Sequence, residues 1–180
     1  MGKLILMIDK NKYLYWLNDK DPNLTEEVFW REMYSRIGHI FHIVQMVEYN
    51  IANILSIEEF EKETQTVFKE KDIERIRTNV DEKFEKLSSL TFGQLSKEVE
   101  KSNYLNGIDL VKLKDFVTYR NYLAHRCFKE KLLKNELSKL EDVDRFIDEL
   151  NDFELKAVAL NEWLLGIFKN NKTKTIFMKA

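Results

Sequence analysis

Residues 25–55, TEEVFWREMYSRIGHIFHIVQMVEYNIANIL, decide the fold class of this chain. Apolar side chains recur here at steps of three and four residues, the spacing of one face of an α-helix. They are Phe29, Met33, Ile37, Ile40, Phe41, Val44, Val47, Ile51, Ile54 and Leu55. Two glutamates follow Thr25, and negative charge stabilises the first turn of a helix. The pattern therefore predicts a long core helix that ends near Leu55.

Two further helices are predicted from capping signals that follow this segment. The tetrapeptide Ser56-Ile57-Glu58-Glu59 is typical of a capping box, in which the serine and the last glutamate satisfy backbone N–H groups at a helix start. It predicts a second helix up to Leu87, with a break near Lys71-Asp72. Thr91 is placed to cap a short third helix that ends at Val99.

The last part of the chain predicts two more helices and completes the fold class. An apolar stripe from Leu110 to Phe128 predicts one helix, and Ser138-Lys139-Leu140-Glu141 predicts the capped start of the other. Four or five amphipathic helices with short joins are typical of an all-α, up-and-down bundle, here over residues 23–170. Residues 1–22 are then an N-terminal arm, and residues 171–180 are a C-terminal tail.

Composition supports a helical protein and limits its partners. One proline and five glycines in 180 residues supply too few turns for an all-β sandwich. A single cysteine, Cys127, excludes an intrachain disulfide and favours a reducing compartment. The apolar run Leu4–Ile8 is too short to span a membrane or to serve as a usual signal segment. We therefore expect a cytoplasmic protein with no membrane partner.

Residues 120–125, RNYLAH, place an arginine, an amide and a histidine inside an otherwise apolar helical segment. The surrounding residues 112–134 carry seven basic and two acidic side chains, although the whole chain has a net charge of −2. Positive charge is therefore concentrated around the histidine, and a local basic patch is what a near-neutral protein needs to bind a polyanion. RNA is the partner that this patch suggests.

These three side chains have the chemistry to cleave RNA without a metal or another cofactor. Such cleavage needs a base for the 2′-hydroxyl proton, a cation for the charge that develops on the phosphate, and an acid for the leaving oxygen. Histidine serves as acid or base near neutral pH, so His125 is the candidate for proton transfer. Arg120 offers a planar fork of donors to phosphate oxygens. Asn121 lies four residues before His125, and hence on its face of the helix, where it is able to orient the imidazole or a phosphate.

The spacing of arginine and histidine also predicts the oligomeric state. On an ideal helix, Arg120 and His125 point about 140° apart, so one helix supplies only part of a site. Two copies of the helix across a two-fold axis bring two arginines and two histidines around one cleft. We therefore expect a homodimer.

Four neighbouring side chains are candidates for RNA contact. They are Arg126, Lys129, Lys114 and Tyr122. Each has an ordinary alternative role: a cation such as Arg126 is often paired in a surface salt bridge, and a tyrosine at bundle spacing is often part of a core or interface. The alternative for Arg120, Asn121 and His125 is a buried polar network in which a neighbouring helix satisfies the histidine.

Two other features have a simpler and a sharper interpretation. His39 and His42 are one helical turn apart, and a metal would need carboxylates from another helix as well; lone helical histidines are usually structural, so we expect no metal site. The acidic stretch at residues 136–154 is most simply a solvated helix face. Its sharper interpretation is a surface that docks a basic partner or shields the basic segment.

The motif Arg120-Asn121 followed by His125, late in an all-helical bundle of this size, resembles the HEPN superfamily of prokaryotic ribonucleases and toxins. The turn Leu90-Thr91-Phe92-Gly93 adds to the resemblance, which extends over residues 25–168. It implies a metal-independent endoribonuclease whose site forms at a homodimer interface. Arg120 and His125 would be catalytic and Asn121 would support them.

Membership of this superfamily would also imply a toxin–antitoxin or anti-phage role, and hence an antitoxin or other regulatory protein as a partner. In the subgroup controlled by an antitoxin nucleotidyltransferase, a tyrosine lies two residues after the histidine, where this chain has Cys127. The rival hypothesis is a non-catalytic HEPN-like module that binds RNA, a nucleotide or a protein. A third is a helical interaction protein with no nucleic-acid role.

Overall fold

The computed structural model describes the backbone of residues 26–64, 73–133 and 140–172. Within these ranges the chain forms five α-helices and one π-helical segment, and no β-strand. In chain order they are α1 Glu26–Thr64, α2 Ile73–Ser88, α3 Phe92–Val99, α4 Leu110–His125, the π-helical segment Phe128–Leu133 and α5 Leu140–Lys172. The predicted all-α class is confirmed for these residues. The predicted arm, residues 1–22, and the tail from residue 173 lie outside them.

Helix α1 is longer than the sequence predicts, because Ser56 does not begin a new helix. Its hydroxyl Oγ donates to the carbonyl oxygen of Ala52 at 2.8 Å, the bond of a serine inside a helix. Ser56 therefore does not cap a helix, and α1 continues to Thr64. The prediction of a helix end near Leu55 is wrong. The break that was predicted within the second helix, near Lys71-Asp72, lies outside the described residues, and α2 is described from Ile73.

The short helix α3 is capped as predicted. The Thr91 hydroxyl accepts from the Gln94 backbone N–H at 3.3 Å, and the Gln94 side chain accepts from the Thr91 N–H at 2.9 Å. Both orphan donors are thereby satisfied, which is the reciprocal arrangement of a capping box. The cap predicted at Ser138 lies outside the described residues, and α5 is first described at Leu140.

The described residues form two compact units. One comprises residues 26–43, 118–133 and 140–158, and its buried core includes Met33, Ile37, Ile40, Leu123, Phe146, Ile147 and Leu150. The other comprises residues 44–64, 73–117 and 159–172, with a core that includes Val47, Ile51, Phe92, Leu95, Leu105 and Leu164. Arg120, Asn121 and His125 all belong to the first unit, which we call the motif unit.

Within α1, the segment Met33–Lys62 is long and apolar enough to cross a membrane. Only its length and composition suggest a membrane span. Within its most apolar stretch of 18 residues, 56% is buried inside the structure. The same pattern is typical of the core helix of a soluble protein.

Candidate functional site

The three motif residues lie in the last turns of α4, and they differ in their exposure to solvent. His125 and Asn121 are exposed, and Arg120 is partly buried. The Arg120 guanidinium donates through Nη1 to Asn121 Oδ1 at 3.1 Å, so the amide orients the arginine. Within the described part of the chain, the His125 imidazole has no hydrogen bond or ion pair. The last turns of α4 therefore carry an arginine that an amide orients and an exposed imidazole.

The exposure of His125 does not fit a buried polar network. A histidine that serves only to complete a core polar network would be buried and bonded to a neighbouring helix. His125 is neither, whereas Leu123 and Cys127 on either side of it are buried. The end of α4 is thus anchored by its apolar positions while the imidazole remains accessible.

Tyr119 packs α4 against α5, next to Tyr122 of the same helix. The rings of Tyr119 and Phe153 lie 4.7 Å apart, and those of Tyr119 and Tyr122 lie 5.7 Å apart. Burial raises the pKa of Cys127 to about 11, although a hydrogen bond from Tyr122 opposes the shift. Burial, with the negative charge of Glu149, also raises the pKa of Tyr119 above its ordinary value. These groups stay neutral at physiological pH, so their role is packing.

The four side chains predicted to contact RNA differ in availability. Arg126 donates to Glu130 through Nε at 2.9 Å and Nη2 at 2.6 Å, and Lys114, in the second unit, pairs with Glu100 at 3.2 Å. Lys129 is exposed and has no ion pair in the described part of the molecule. Tyr122 is partly buried, and its side chain forms a hydrogen bond with Cys127. The structure thus leaves Lys129 as the available cation of this set.

A buried ion pair in the motif unit lies outside the sequence predictions. Arg36 in α1 pairs with Glu154 in α5 and donates to Asn151 Oδ1 at 3.0 Å. Glu154 is 1% exposed, so its assignment to a solvated acidic face is wrong. Burial raises the pKa of Glu154, and the charges of Arg36 and His39 oppose that shift. The available signal was Arg36 itself, a charge inside the apolar stripe between Met33 and Ile40.

The histidine pair of α1 is divided between two environments. His39 Nε2 lies 3.5 Å from Glu154 Oε1, at the edge of the buried pair, while His42 is exposed. Among the described residues, no three His, Cys, Asp or Glu side chains are grouped so that they could hold a metal ion. His39 is therefore a partner of Glu154.

An exposed aromatic cluster beside the motif is the second feature that sequence reasoning missed. The sequence placed Phe128 in the apolar stripe of the motif helix, but Phe128 lies after that helix ends and is 38% exposed. Its ring lies 5.4 Å from that of Tyr34, which is 49% exposed and lies 6.4 Å from Trp30. The physical reason is that α4 ends at His125 and a π-helical segment begins at Phe128. We call Trp30, Tyr34 and Phe128 the aromatic surface.

Comparison of the chain with models of protein families, with curated proteins and with solved structures finds no match.

Proposed function

We propose that the chain is a HEPN-like, metal-independent endoribonuclease that acts as a homodimer. The observation that carries the proposal is the exposed imidazole of His125 at the end of the helix that also holds Arg120 against Asn121. These residues provide a proton acceptor and an oriented cation on one helix of the motif unit. The resemblance of the Arg120–His125 motif to the HEPN superfamily assigns that pair to phosphodiester cleavage.

The reaction follows from these groups. His125 takes the proton of a ribose 2′-hydroxyl, and the 2′-oxygen attacks the adjacent phosphorus. Arg120 stabilises the negative charge that develops on the phosphate oxygens. The bond from phosphorus to the 5′-oxygen breaks, and the histidine of a second protomer donates a proton to that oxygen. The products carry a 2′,3′-cyclic phosphate, or its hydrolysed form, and a 5′-hydroxyl. Side chains supply every proton transfer, so the reaction requires no metal.

A ribonuclease of this type acts in the cytoplasm, as a toxin or an anti-phage factor, and is controlled by an antitoxin or other regulatory protein. The competing proposal is a non-catalytic HEPN-like module that binds RNA, a nucleotide or a protein. It uses the same residues, because a partly exposed arginine and an exposed histidine bind phosphate whether or not they cleave it.

The decisive experiment is cleavage of a labelled single-stranded RNA, with and without EDTA, followed by analysis of the product ends. We expect cleavage in EDTA with cyclic phosphate ends. His125→Ala should lower the rate by a factor of about 10²–10⁴, the usual contribution of a general acid or base. His42→Ala is the matched control, because His42 is also an exposed histidine of the motif unit, and it should retain the rate.

Two results would decide against catalysis by this pair. Strict dependence on a divalent metal, with 5′-phosphate and 3′-hydroxyl ends, would mean that a metal drives the reaction. Binding of RNA without cleavage, weakened equally by His125→Ala and Arg120→Ala, would favour the non-catalytic module. Circular dichroism of both variants checks that the helices remain folded.

A further inference from the structure

The aromatic surface lies next to the candidate catalytic histidine. Backbone N–H groups of Arg126 and Glu130 bond to carbonyls four residues earlier, at 2.9 Å each, so the chain keeps α-helical hydrogen bonds there. Residues three and four apart on a helix are neighbours on its surface, with Cβ atoms about 5–6 Å apart. Phe128 and Lys129 therefore share the face of His125, and Tyr34 extends that surface across to α1.

Two exposed cations accompany these rings. Arg31 lies beside Trp30 in sequence and one helical turn before Tyr34, and Lys129 follows Phe128. Both are exposed, and neither has an ion pair in the described part of the chain. Arg126 differs, because Glu130 already neutralises it. The surface thus alternates aromatic rings with available positive charge, next to an available imidazole.

We propose that the aromatic surface stacks unpaired bases of single-stranded RNA while Arg31 and Lys129 bind the phosphates between them. This inference rests on the proposed function and names its substrate class. Single-strand binding combines a positively charged track for the backbone with aromatic side chains for successive bases. A duplex keeps its bases stacked on each other, so it cannot use the rings. The surface therefore selects unpaired RNA and places a flanking phosphate at His125.

Charge favours RNA over a second copy of the chain as the occupant. A protein interface is depleted of charge at its core, and lysine is depleted there relative to the rest of the surface. Here exposed cations border the rings on both α1 and the segment after α4. Single-stranded RNA offers phosphates to the cations and unpaired bases to the aromatic rings. The exposed Tyr34 and Phe128 are accordingly positioning residues for substrate.

The test measures binding in a His125→Ala parent, so that cleavage does not interfere. Two oligonucleotides of equal length are compared: a single-stranded RNA and the same backbone with its internal bases removed. Tyr34→Ala and Phe128→Ala should each weaken binding of the base-bearing RNA about tenfold and leave the abasic strand unchanged, as expected for loss of one stacked base. Tyr34→Phe and Phe128→Tyr should restore the affinity. Lys129→Ala should weaken both strands equally.

A matched control comes from the second unit. Tyr49 is 58% exposed and its ring lies 5.3 Å from Phe84, so it is an exposed tyrosine packed on a phenylalanine, as Tyr34 is on Phe128. Tyr49→Ala should leave the affinity for both strands unchanged. Circular dichroism and light scattering on every variant separate loss of stacking from loss of folding or of association.

Each other outcome is decisive. Unchanged affinity in Tyr34→Ala and Phe128→Ala, or no RNA binding by the parent, overturns the stacking surface. Dissociation to monomers in these variants, with both strands weakened equally, shows that a second copy occupies the surface instead. If the wild-type protein binds as described but does not cleave, the stacking surface stands and the ribonuclease proposal fails. If it cleaves RNA but the aromatic substitutions do not change binding, the ribonuclease proposal stands and the stacking surface fails.

Discussion

At the residue scale, two buried carboxylates respond to burial in opposite ways. Burial would raise the pKa of Glu58, but hydrogen bonds from the Ser102 hydroxyl and the Asn103 N–H, and the charge of Lys62, bring it below the ordinary value. Burial prevails at Glu154, whose pKa is raised although Arg36 is its partner. The number of donors to the carboxylate makes the difference, because each one stabilises the charged form.

Glu58→Gln should therefore destabilise the protein in a pH-dependent manner. A carboxyl whose pKa is lowered by folding contributes stability above its unfolded value, 4.5, and loses it as the pH falls through the folded value. We expect the free energy of unfolding to fall by about 1–3 kcal/mol at pH 7. The loss should shrink below pH 4.5. Urea unfolding of the wild type and the variant at pH 7 and below pH 4.5 measures this loss.

The exposed neighbour of this residue is the control. Glu59 pairs with Lys83 at 3.8 Å on the surface, and Glu59→Gln should change the unfolding free energy by less than about 1 kcal/mol at either pH. A loss in Glu58→Gln that stays constant from neutral to acid pH would show that packing, and not the charge, is responsible.

At the element scale, two sequences of the same pattern form different structures. Ser56 and Thr91 each precede a Glu or Gln three residues later, yet only Thr91 is a helix cap. Glu59 pairs with Lys83, whereas Gln94 returns to the backbone of Thr91. Glu58, between Ser56 and Glu59, is bonded to Ser102 and Asn103 in a helical position. These distant partners favour an uninterrupted α1.

The difference predicts unequal costs for two alanine substitutions. Thr91→Ala should lower the free energy of unfolding by about 1 kcal/mol, because it leaves N–H groups at the start of α3 without acceptors. Ser56→Ala should cost less, since the Ala52 carbonyl that Ser56 contacts belongs to a helix interior and alanine favours the helix. Denaturant midpoints of the two variants provide the comparison. A larger loss in Ser56→Ala would contradict this account of α1.

At the scale of the whole molecule, the proposed reaction requires two copies of the chain. Arg120 and His125 diverge on α4, and one imidazole is not both the base and the acid for one phosphodiester. Light scattering should therefore report twice 21.6 kDa at micromolar concentration. RNA binding by the dimer should weaken as the salt concentration rises, because phosphates that bind Lys129 and Arg31 release counterions. A monomer that still cleaves RNA would rule out the composite site.

Local pattern determined much of this protein. Periodic apolar residues predicted the all-α class and α1, Thr91 predicted its own cap, and the RNYLAH segment predicted an arginine and a histidine on one helix. These features depend on contacts within a few residues along the chain, so the sequence contains them directly. Exposure of the imidazole was consistent with the pattern but was decided only by the packing of Leu123 and Cys127.

Tertiary structure alone decided the rest. The Arg36–Asn151 bond joins residues 115 positions apart, and the bond from Ser102 to Glu58 joins residues 44 apart. No periodicity of three or four residues specifies such partners, because they arise only when helices pack side by side. The same packing buries Glu154, continues α1 past Ser56 and brings Tyr34 onto Phe128 beside His125. It was therefore helix packing that made the aromatic surface.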